Sequence, residues 1–336
     1  MSLATINHPP GGQAVLMATN DRYQSLLAAR FGQRFLDYRS NWALASERGQ
    51  VGDFPLSLDI AINSGCQLSC LMCPLPSRPI ERAYAPMKSH LFDALMDQAG
   101  DYHLPALTLG LASEPLLNPN LIQMIKKAAK ASVMDIRLGT NGLGLNKKII
   151  AGLIDSHLTR LEISVDALDR ATYQTIRPGG DFNRLNQNIE IFLNLRSQRN
   201  CDFPLLRLSF LILPQNEKQL EPFLEKWSDS VDLISIQKPI WFPGSKLPKP
   251  IKNSFDQYGK NQNAYCVQSW QRLGIDHLGR VWPCCSWYGQ NLIDLSCQEK
   301  TISSIWRSVE LEKLREDHLR GELPLSCQQC ATYGAF

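Results

Sequence analysis

Three cysteines, Cys66, Cys70 and Cys73, stand at the spacing C-x3-C-x2-C directly after an apolar stretch that runs from Leu56 to Ile62. A cubane [4Fe-4S] cluster is normally held by four cysteines, one on each iron. A local group of three leaves one iron without a protein ligand and open to a small molecule. The sequence therefore predicts a catalytic iron–sulfur site.

Two other roles for these cysteines fit the sequence less well. A zinc site of three cysteines and one histidine would need a histidine at finger-like spacing, which neither His90 nor His103 provides, and zinc ribbons use paired C-x2-C knuckles. The N-terminus has no basic region followed by an apolar one, so nothing directs the chain to a compartment where disulfides form. We therefore expect a cytoplasmic protein with reduced cysteines.

Composition sets the limits for the rest of the molecule. The 336 residues suggest about two domains, and 44% hydrophobic with 20% charged residues is ordinary for a soluble globular protein. No apolar run approaches the ~18 residues of a membrane span. The 35 basic and 32 acidic residues are mixed along the chain, with a net charge of +3, which does not indicate a nucleic-acid partner. Six of the ten cysteines lie from Cys266 onward, which points to a second metal centre.

Between residues 57 and 240, short β-rich apolar runs alternate with amphipathic helical patterns, which is typical of a parallel sheet wrapped by helices. Helical spacing is clearest around 91–99, 121–129 and 185–193. In parallel β/α barrels the loops after the strands build the active site. The predicted fold class is α/β, a partial (β/α)6 TIM barrel with a small C-terminal cysteine-rich domain of a β-hairpin and a helix. The six predicted strands are Ser57–Asn63, Ala106–Leu111, Asp135–Leu138, Arg160–Val165, Leu206–Leu213 and Leu233–Gln237.

We divide the chain into an N-terminal segment (1–55), the barrel (56–245) and an auxiliary domain (246–336). The first dozen residues are expected to be a disordered arm, and residues 20–48 are expected to be helical. The N-terminal segment is too short for the leader-peptide recognition domains of some peptide-modifying enzymes and lacks their strands, and we assign it no function.

The cysteine triad and the segments at later strand ends resemble the radical S-adenosylmethionine (SAM) enzymes, in which the open iron chelates the methionine end of SAM. The run 111–119 looks like the Gly-Gly-Glu-Pro segment of that family, which binds the SAM amino group, and Glu114 is the match. A carboxylate there would form a charge-assisted hydrogen bond with the ammonium group. Ala112 and Ser113 replace the two glycines.

Four more residues match positions of the family, and the three at strand ends are expected to line the SAM or substrate side of the barrel mouth. Asn141 lies in a Thr-Asn-Gly turn, and Ser164 and Asp166 end the fourth predicted strand. Arg177 matches a position where a guanidinium pairs with the SAM carboxylate. Asn141 could instead be a left-handed turn residue, and Asp166 could be a helix N-cap. Met72 is expected to pack by the adenine, although it could equally shield the cluster.

The C-terminal third resembles the auxiliary domains called SPASM and Twitch. Cys266, Gly279 and Cys284 follow the C-x9-15-G-x4-C pattern, and Cys327 and Cys330 close it as C-x2-C. Residues 276–282 are predicted to be a hairpin with its turn at 278–279, and residues 301–320 a helix. The resemblance implies that these four cysteines hold one auxiliary [4Fe-4S] cluster.

Other ligand sets remain open in this region. Cys285 and Cys297 could each replace a ligand or remain reduced thiols, although the G-x4-C spacing favours Cys284. A zinc ribbon made from the same four cysteines is the structural alternative. Cys201 is interpreted as a residue without a role.

Two clusters in one chain favour a redox function. The resemblance implies reductive cleavage of SAM to a 5′-deoxyadenosyl radical that abstracts a hydrogen atom from substrate. A cluster with four protein ligands cannot bind substrate, so we expect it to accept an electron. In cluster count the chain resembles the Twitch-type dehydrogenases of aminoglycoside biosynthesis, which oxidise a secondary alcohol of an aminocyclitol or sugar. A flavodoxin- or ferredoxin-type reductant is expected.

Several other functions remain open, and most of them begin with the same cleavage of SAM. The runner-up is a maturase that installs a cross-link, a thioether or an epimerised residue in a ribosomal peptide. Epimerisation of a sugar, or addition of the adenosyl radical to an alkene, would use the same residues up to hydrogen abstraction. A scaffold that binds iron–sulfur or zinc without catalysis is the non-enzyme alternative. The catalytic base is unknown, and the candidates for the pocket are Tyr84, Asp166 and the loop 238–244.

Overall fold

The structure, a computed structural model, describes residues 15–19, 22–48, 51–77, 84–247, 266–290 and 292–332. The arm predicted for the first dozen residues lies outside these ranges. In the described part of the chain, one sheet contains nine strands in the order β1-β7-β6-β5-β4-β3-β2-β8-β9. Their bounds are β1 Val15–Thr19, β2 Ser57–Ile60, β3 Ala106–Leu109, β4 Asp135–Thr140, β5 Arg160–Ser164, β6 Leu205–Leu211, β7 Leu233–Gln237, β8 Arg272–Ile275 and β9 Val281–Trp282.

The six predicted strands are β2 to β7, and each pairs in parallel with the next along the chain. Strand β8 extends the parallel part beyond β2, whereas β1 and β9 pair antiparallel at the two ends. The end strands belong to opposite edges of the sheet, so the barrel is not closed. The predicted partial α/β barrel is therefore confirmed.

The helices lie between the strands where the apolar spacing predicts them. The predicted helix at 301–320 is wrong as one element, because it is divided into two. The Ser308 side chain accepts a hydrogen bond from the Leu311 amide and so starts a new helix. The helices are α1 Arg22–Phe31, α2 Gln33–Arg48, α3 Ser89–Asp101, α4 Leu121–Lys130, α5 Lys147–Ile154, α6 Arg170–Ile176, α7 Phe182–Gln198, α8 Leu220–Trp227, α9 Gln268–Gln271, α10 Ile302–Trp306, α11 Val309–Arg320 and α12 Leu325–Thr332.

Successive side chains of each parallel strand point to opposite faces of the sheet, so they alternate between the helix-packed core and the barrel interior. One face carries leucine and isoleucine residues such as Leu58, Leu107 and Leu161, which are fully buried against the helices in one large core. The opposite face carries polar residues such as Asp59 and Glu162. It forms the interior of the barrel.

The N-terminal segment closes one end of this barrel. Phe35, Tyr38 and Trp42 of α2 form a buried cluster with Leu205 and Leu233, which begin strands β6 and β7. The expected helices of residues 20–48 are present, but strand β1 was not predicted in this segment. The segment therefore covers the floor of the barrel, opposite the ends at which the site is built.

The C-terminal segment joins the same sheet. Strands β8 and β9 form the predicted hairpin, in which Gly279 adopts a φ of +84° that favours glycine. Because β8 pairs with β2, the hairpin lies directly beside the strand that leads to the cysteine triad. Among the described residues, no helix is long and apolar enough to cross a membrane.

Candidate active site

The loop that follows β2 carries the cysteine triad and is fixed by backbone hydrogen bonds to two distant segments. The Ser69 amide bonds to the Pro178 carbonyl, and the Leu71 amide bonds to the Ile176 carbonyl at 2.9 Å. The Lys246 amide bonds in turn to the Leu71 carbonyl. The triad is therefore held at the mouth of the barrel, where the parallel strands end.

The three thiols lie within electrostatic range of one another. Burial is the main cause that raises the pKa of Cys66 to about 11 and that of Cys73 to about 12, and it also raises the pKa of Cys70. The neighbouring Arg177 guanidinium opposes the rise at all three. Binding of iron must therefore displace protons from these thiols. Three converging soft ligands beside a cation fit a cluster that carries negative charge.

Glu114 is buried and connects the strand ends around the triad. Its carboxylate accepts hydrogen bonds from the Thr140 hydroxyl at 2.6 Å, the Asn141 amide at 2.8 Å and the Leu116 amide at 3.0 Å. Burial raises the pKa of Glu114 even though these bonds lower it. A carboxylate offers about four acceptor positions, so one remains for the ammonium group predicted to bind here.

The departure from the family's two glycines has a visible backbone consequence. Ala112 adopts a φ of +52°, the left-handed region that glycine enters without strain. The neighbouring Gly110 has a φ of +119°, and a Cβ atom there would lie 2.5 Å from the Gly139 carbonyl oxygen. This turn therefore needs glycine-like backbone, and Ala112 adopts that conformation with a side chain present.

Asn141 lies directly beside the triad. Its Nδ2 atom lies 3.8 Å from the Cys66 sulfur, and its Oδ1 atom accepts hydrogen bonds from Gln67 Nε2 and from the Leu143 amide. The left-handed position of this turn belongs to Gly142, with a φ of +76°. The interpretation of Asn141 as a left-handed residue is therefore wrong, although its side chain does bond within the turn. Its contact with SAM stays a prediction.

Asp166 and Arg177 form a buried ion pair. Arg177 Nε and Nη2 both donate to Asp166 Oδ2, at 2.8 and 2.5 Å, and Arg177 Nη1 lies 3.6 Å from the Cys70 sulfur. The other Asp166 oxygen accepts from the Leu211 amide at 2.7 Å. Asp169, not Asp166, caps the following helix α6, so the N-cap interpretation of Asp166 is wrong. These contacts show Asp166 orienting Arg177, and direct contact of either residue with SAM stays a prediction.

The two remaining predicted SAM contacts also lie near the mouth. Met72 packs beside a buried apolar cluster that contains Ile176 and Leu213, with Trp241 as a further partly buried neighbour. Ser164 is half-buried at the end of β5. The apolar surface around Met72 suits a flat aromatic base, whereas Ser164 faces the barrel interior.

The four cysteines predicted for the auxiliary cluster come from three elements. Cys266 precedes α9, Cys284 follows β9, and Cys327 and Cys330 lie on α12. Electrostatic interactions link Cys266 to Cys284, Cys327 and Cys330. Burial is the main cause of raised pKa values at all four thiols, to about 11 at Cys327 and about 12 at Cys330. The chain therefore brings this set together, and its role as cluster ligands is a proposal.

Close contacts also shape this second group. A Cβ atom at Gly289 would lie 2.5 Å from the Cys284 sulfur, so the glycine makes room for that thiol. Ser286 Oγ lies 3.5 Å from the Cys330 sulfur, and His318 Nε2 lies 3.4 Å from the Cys327 sulfur. Hydrogen bonds to sulfur are one means by which a protein adjusts the potential of a cluster.

The two alternative cysteines lie in different places. Cys285 is within electrostatic range of three members of the second group, Cys266, Cys284 and Cys330. It also interacts with Arg272, Asp59 and Arg137, which belong to the barrel strands. Cys297 interacts instead with Asp276, and its amide bonds to the Gly279 carbonyl. Cys285 therefore lies between the second cysteine group and the barrel interior, and Cys297 lies at the hairpin turn.

Within the described ranges, no group of three or more His, Cys, Asp or Glu side chains converges tightly enough for a single metal ion. A cubane attaches each thiolate to a different iron and so needs a wider spacing than one ion does. That the two cysteine groups hold cubanes stays a proposal.

Sequence reasoning missed residues that hold the site together. The sequence shows Thr140 only as part of a turn motif, whereas its hydroxyl donates a hydrogen bond to Glu114. Asn216 is fully buried, and its Nδ2 atom donates to the Asp166 and Leu211 carbonyls at 2.8 Å. Neither role has a local signal, because each partner is distant in the sequence.

Comparisons with known proteins agree with this architecture. The radical SAM superfamily matches residues 60–226, and SPASM, an iron-sulfur cluster-binding domain, matches residues 266–331. Among curated proteins, the chain is 28% identical over 191 residues to the GTP 3′,8-cyclase of Listeria welshimeri, which is 55% of this chain and 54% of that protein. The chain thus spans about half the length of this curated relative.

Solved structures share the fold. Streptococcus suis SuiB has a TM-score of 0.64 and 16% identity, covering 83% of this chain and 72% of that chain. BtrN in complex with AdoMet and 2-DOIA has a TM-score of 0.51 and 15% identity, covering 81% of this chain and 89% of that chain. At these identities the likeness concerns the fold alone.

Proposed function

We propose that this chain, which carries a radical SAM domain and a C-terminal SPASM domain, oxidises a secondary alcohol of a small sugar-like or aminocyclitol-like molecule. The two domains imply a SAM-binding [4Fe-4S] cluster and an auxiliary cluster. The observation that carries the proposal is the presence of two separate cysteine groups. One is an open triad at the barrel mouth, and the other is a set of four.

The chain's own residues have distinct parts in this proposal. Cys66, Cys70 and Cys73 would hold the first cluster, which when bound supplies the electron that cleaves SAM to methionine and a 5′-deoxyadenosyl radical. Glu114 would accept a hydrogen bond from the SAM amino group, and Arg177, held by Asp166, would donate to its carboxylate.

Oxidation of the substrate alcohol to a ketone removes one hydrogen atom, one proton and one electron. Abstraction of the carbinol hydrogen by the 5′-deoxyadenosyl radical forms 5′-deoxyadenosine and leaves a radical carbon that bears the hydroxyl group. Loss of the hydroxyl proton to water and of one electron then gives the ketone. Cys266, Cys284, Cys327 and Cys330 would hold the auxiliary cluster, which when bound would supply an acceptor for that electron. A flavodoxin- or ferredoxin-type protein would supply the electron consumed in SAM cleavage. The relative's name, GTP 3′,8-cyclase, indicates different chemistry, and it matches only about half of each chain.

The direct test is anaerobic reconstitution followed by counting of iron and sulfide. The protein is then incubated with SAM and dithionite, and 5′-deoxyadenosine is measured. We expect about eight irons per chain, as two cubanes require. The triple variant Cys66→Ala/Cys70→Ala/Cys73→Ala should form no 5′-deoxyadenosine. Four irons, or zinc without cleavage of SAM, would contradict the two-cluster oxidoreductase. Once SAM cleavage is measured, sugars and aminocyclitols are tested as substrates, and a ketone product is sought.

A further inference from the structure

The interior face of the barrel carries charged residues that the proposed chemistry does not use. Strand positions that face away from the helices include Arg137 on β4, Glu162 on β5 and Arg207 on β6. Arg137 is 30% exposed although β4 lies in the middle of the sheet. With its outward face packed on helices, the exposed part of Arg137 must face open space inside the barrel.

The three charges form one connected group. Arg137 Nη1 lies 3.4 Å and Arg207 Nη1 lies 3.6 Å from the same Glu162 Oε2 atom, and Arg207 also donates to Ser235. Burial would raise the pKa of Glu162, but Arg207, Arg137 and Arg160 together lower it below its usual value. Glu162 is therefore ionised at neutral pH and shared between two guanidinium groups.

The Arg137 guanidinium has donors that no described residue uses. It carries five N–H groups, and among the described residues its side chain donates a hydrogen bond only to Glu162, with the Cys285 thiol within electrostatic range. The contact is a single bond of 3.4 Å, not the paired geometry of a two-bond arginine–carboxylate contact. The other edge of the guanidinium is thus available to a second partner.

Space lies above this group, towards the barrel mouth. Two residues further along the same three strands, the interior positions are Gly139, Ser164 and Ser209. A Cβ atom at Gly139 would meet no atom within 4 Å. Small side chains between the charged group and the triad leave room for a molecule that touches both.

The interior positions of β2 to β8 carry one more positive than negative charge. Four guanidiniums, Arg137, Arg160, Arg207 and Arg272, face three carboxylates, Asp59, Asp135 and Glu162, over the described strands. Arg272 pairs with Asp59, and Arg160 pairs with Asp135, so the surplus belongs to Arg137 and Arg207 around Glu162. A surplus charge in a partly buried site is stabilised by a counter-ion of opposite sign.

We propose that this interior group binds an anionic substituent of the substrate, a carboxylate or a phosphate, through Arg137. The inference rests on the proposed function, since it takes the substrate to lie between this group and the cysteine triad. It narrows the substrate class, because a cationic aminocyclitol would meet like charge at the same place. The anion would anchor one end of the molecule and direct another carbon towards the mouth.

The test measures binding without any electron donor. Four matched sugars serve as probes under anaerobic conditions: glucose 6-phosphate, glucuronate, glucose and glucosamine. Ligand-observed NMR on the reconstituted protein with SAM gives each dissociation constant. We expect at least one of the two anions to bind about tenfold or more tightly than glucose, and glucosamine to bind most weakly. The two anionic arms distinguish phosphate from carboxylate.

Three variants distinguish anion binding by Arg137 from effects of folding or of overall charge. Arg137→Gln should lose the preference for the anion, and Arg137→Lys should retain part of it because the charge remains. Arg199→Gln is the matched control, since Arg199 pairs with Asp155 elsewhere on the surface. It should bind the probes like the wild type. Thermal unfolding of each variant reports whether it is folded.

Two outcomes would overturn the inference. One is that neither anion binds more tightly than glucose, including the case in which no probe binds. The other is that a folded Arg137→Gln variant keeps the full preference. Failure of the proposed function is a separate result: a protein that binds anions through Arg137 but does not cleave SAM refutes only the radical chemistry. A protein that cleaves SAM but prefers glucosamine refutes only the anion site.

Discussion

Among single residues, Asp166 and Arg177 have the most specific connection to the triad. Asp166 is fully buried and holds the guanidinium whose Nη1 atom lies 3.6 Å from the Cys70 sulfur. Asp166 itself has a φ of +61°, a conformation that aspartate and asparagine tolerate better than most residues. One carboxylate thereby fixes the position of a positive charge beside three thiols.

Asp166→Asn tests this connection while preserving the shape and backbone preference of the side chain. It leaves the buried Arg177 guanidinium without its counter-charge, so we expect the free energy of unfolding to fall by about 3–5 kcal/mol. Chemical denaturation measures the change, and 5′-deoxyadenosine formation should fall with it.

Asp169→Asn is the matched control for this variant. Asp169 caps helix α6 on the surface three residues away, and asparagine is also a good N-cap. It should change stability by less than about 1 kcal/mol. Equal losses in the two variants would show that the Asp166–Arg177 pair has no special role.

Among elements, helix α2 is the part whose contribution became visible only in the structure. Trp42 is 4% exposed, its ring lies 4.9 Å from the Arg272 guanidinium, and its carbonyl accepts a hydrogen bond from Gln271. Arg272 in turn pairs with Asp59 inside the barrel. The helix therefore connects the barrel floor to the strand that precedes the triad.

Trp42→Ala removes a large buried ring from this floor. We expect a loss of about 3–5 kcal/mol in the free energy of unfolding, because the cavity cannot be filled by the rigid strand ends around it. Leu36→Ala, on the same helix at 50% exposure, should change stability by less than about 0.5 kcal/mol. Denaturation midpoints compare the two, and a mild effect at Trp42 would mean that α2 is not needed to close the barrel.

At the scale of the whole molecule, the chain segments that carry the two cysteine groups belong to one sheet. Strand β8 of the C-terminal segment pairs with β2, and Tyr288 donates a hydrogen bond to the Trp241 carbonyl in the loop after β7. Cys285 interacts electrostatically with barrel residues. The second group is therefore positioned next to the barrel interior.

Loss of the auxiliary ligands should separate the two halves of the reaction. In a Cys327→Ala/Cys330→Ala variant, iron should fall from about eight to about four per chain, as one cubane requires. The variant should still form 5′-deoxyadenosine, but a substrate that the wild type oxidises should give no ketone. Cys201→Ala, at an exposed thiol, should behave like the wild type. Normal ketone yield with four irons would remove the auxiliary cluster from the oxidation.

Features that are local in the chain could be predicted from the sequence. The spacing of Cys66, Cys70 and Cys73, the six apolar strands and the hairpin turn at Gly279 all depend on residues a few positions apart. Periodicity and turn preferences act over that range, so the alternation of parallel strands and helices could be predicted. The set of four cysteines spans residues 266–330, and its prediction came from the resemblance to auxiliary-cluster domains. The break at Ser308 was missed because a cap residue inside a continuous apolar pattern is a weak signal.

Contacts between side chains that are distant in the sequence could not be predicted and became known from the fold. The pairing of Asp166 with Arg177, the bonds from Thr140 to Glu114 and from Asn216 to Asp166, and the charged group around Glu162 join residues on different strands. A polar residue at a strand position has the same local pattern whether it faces water, a ligand or an opposite charge. Its partner is fixed by strand order and register, and these follow from packing the whole sheet.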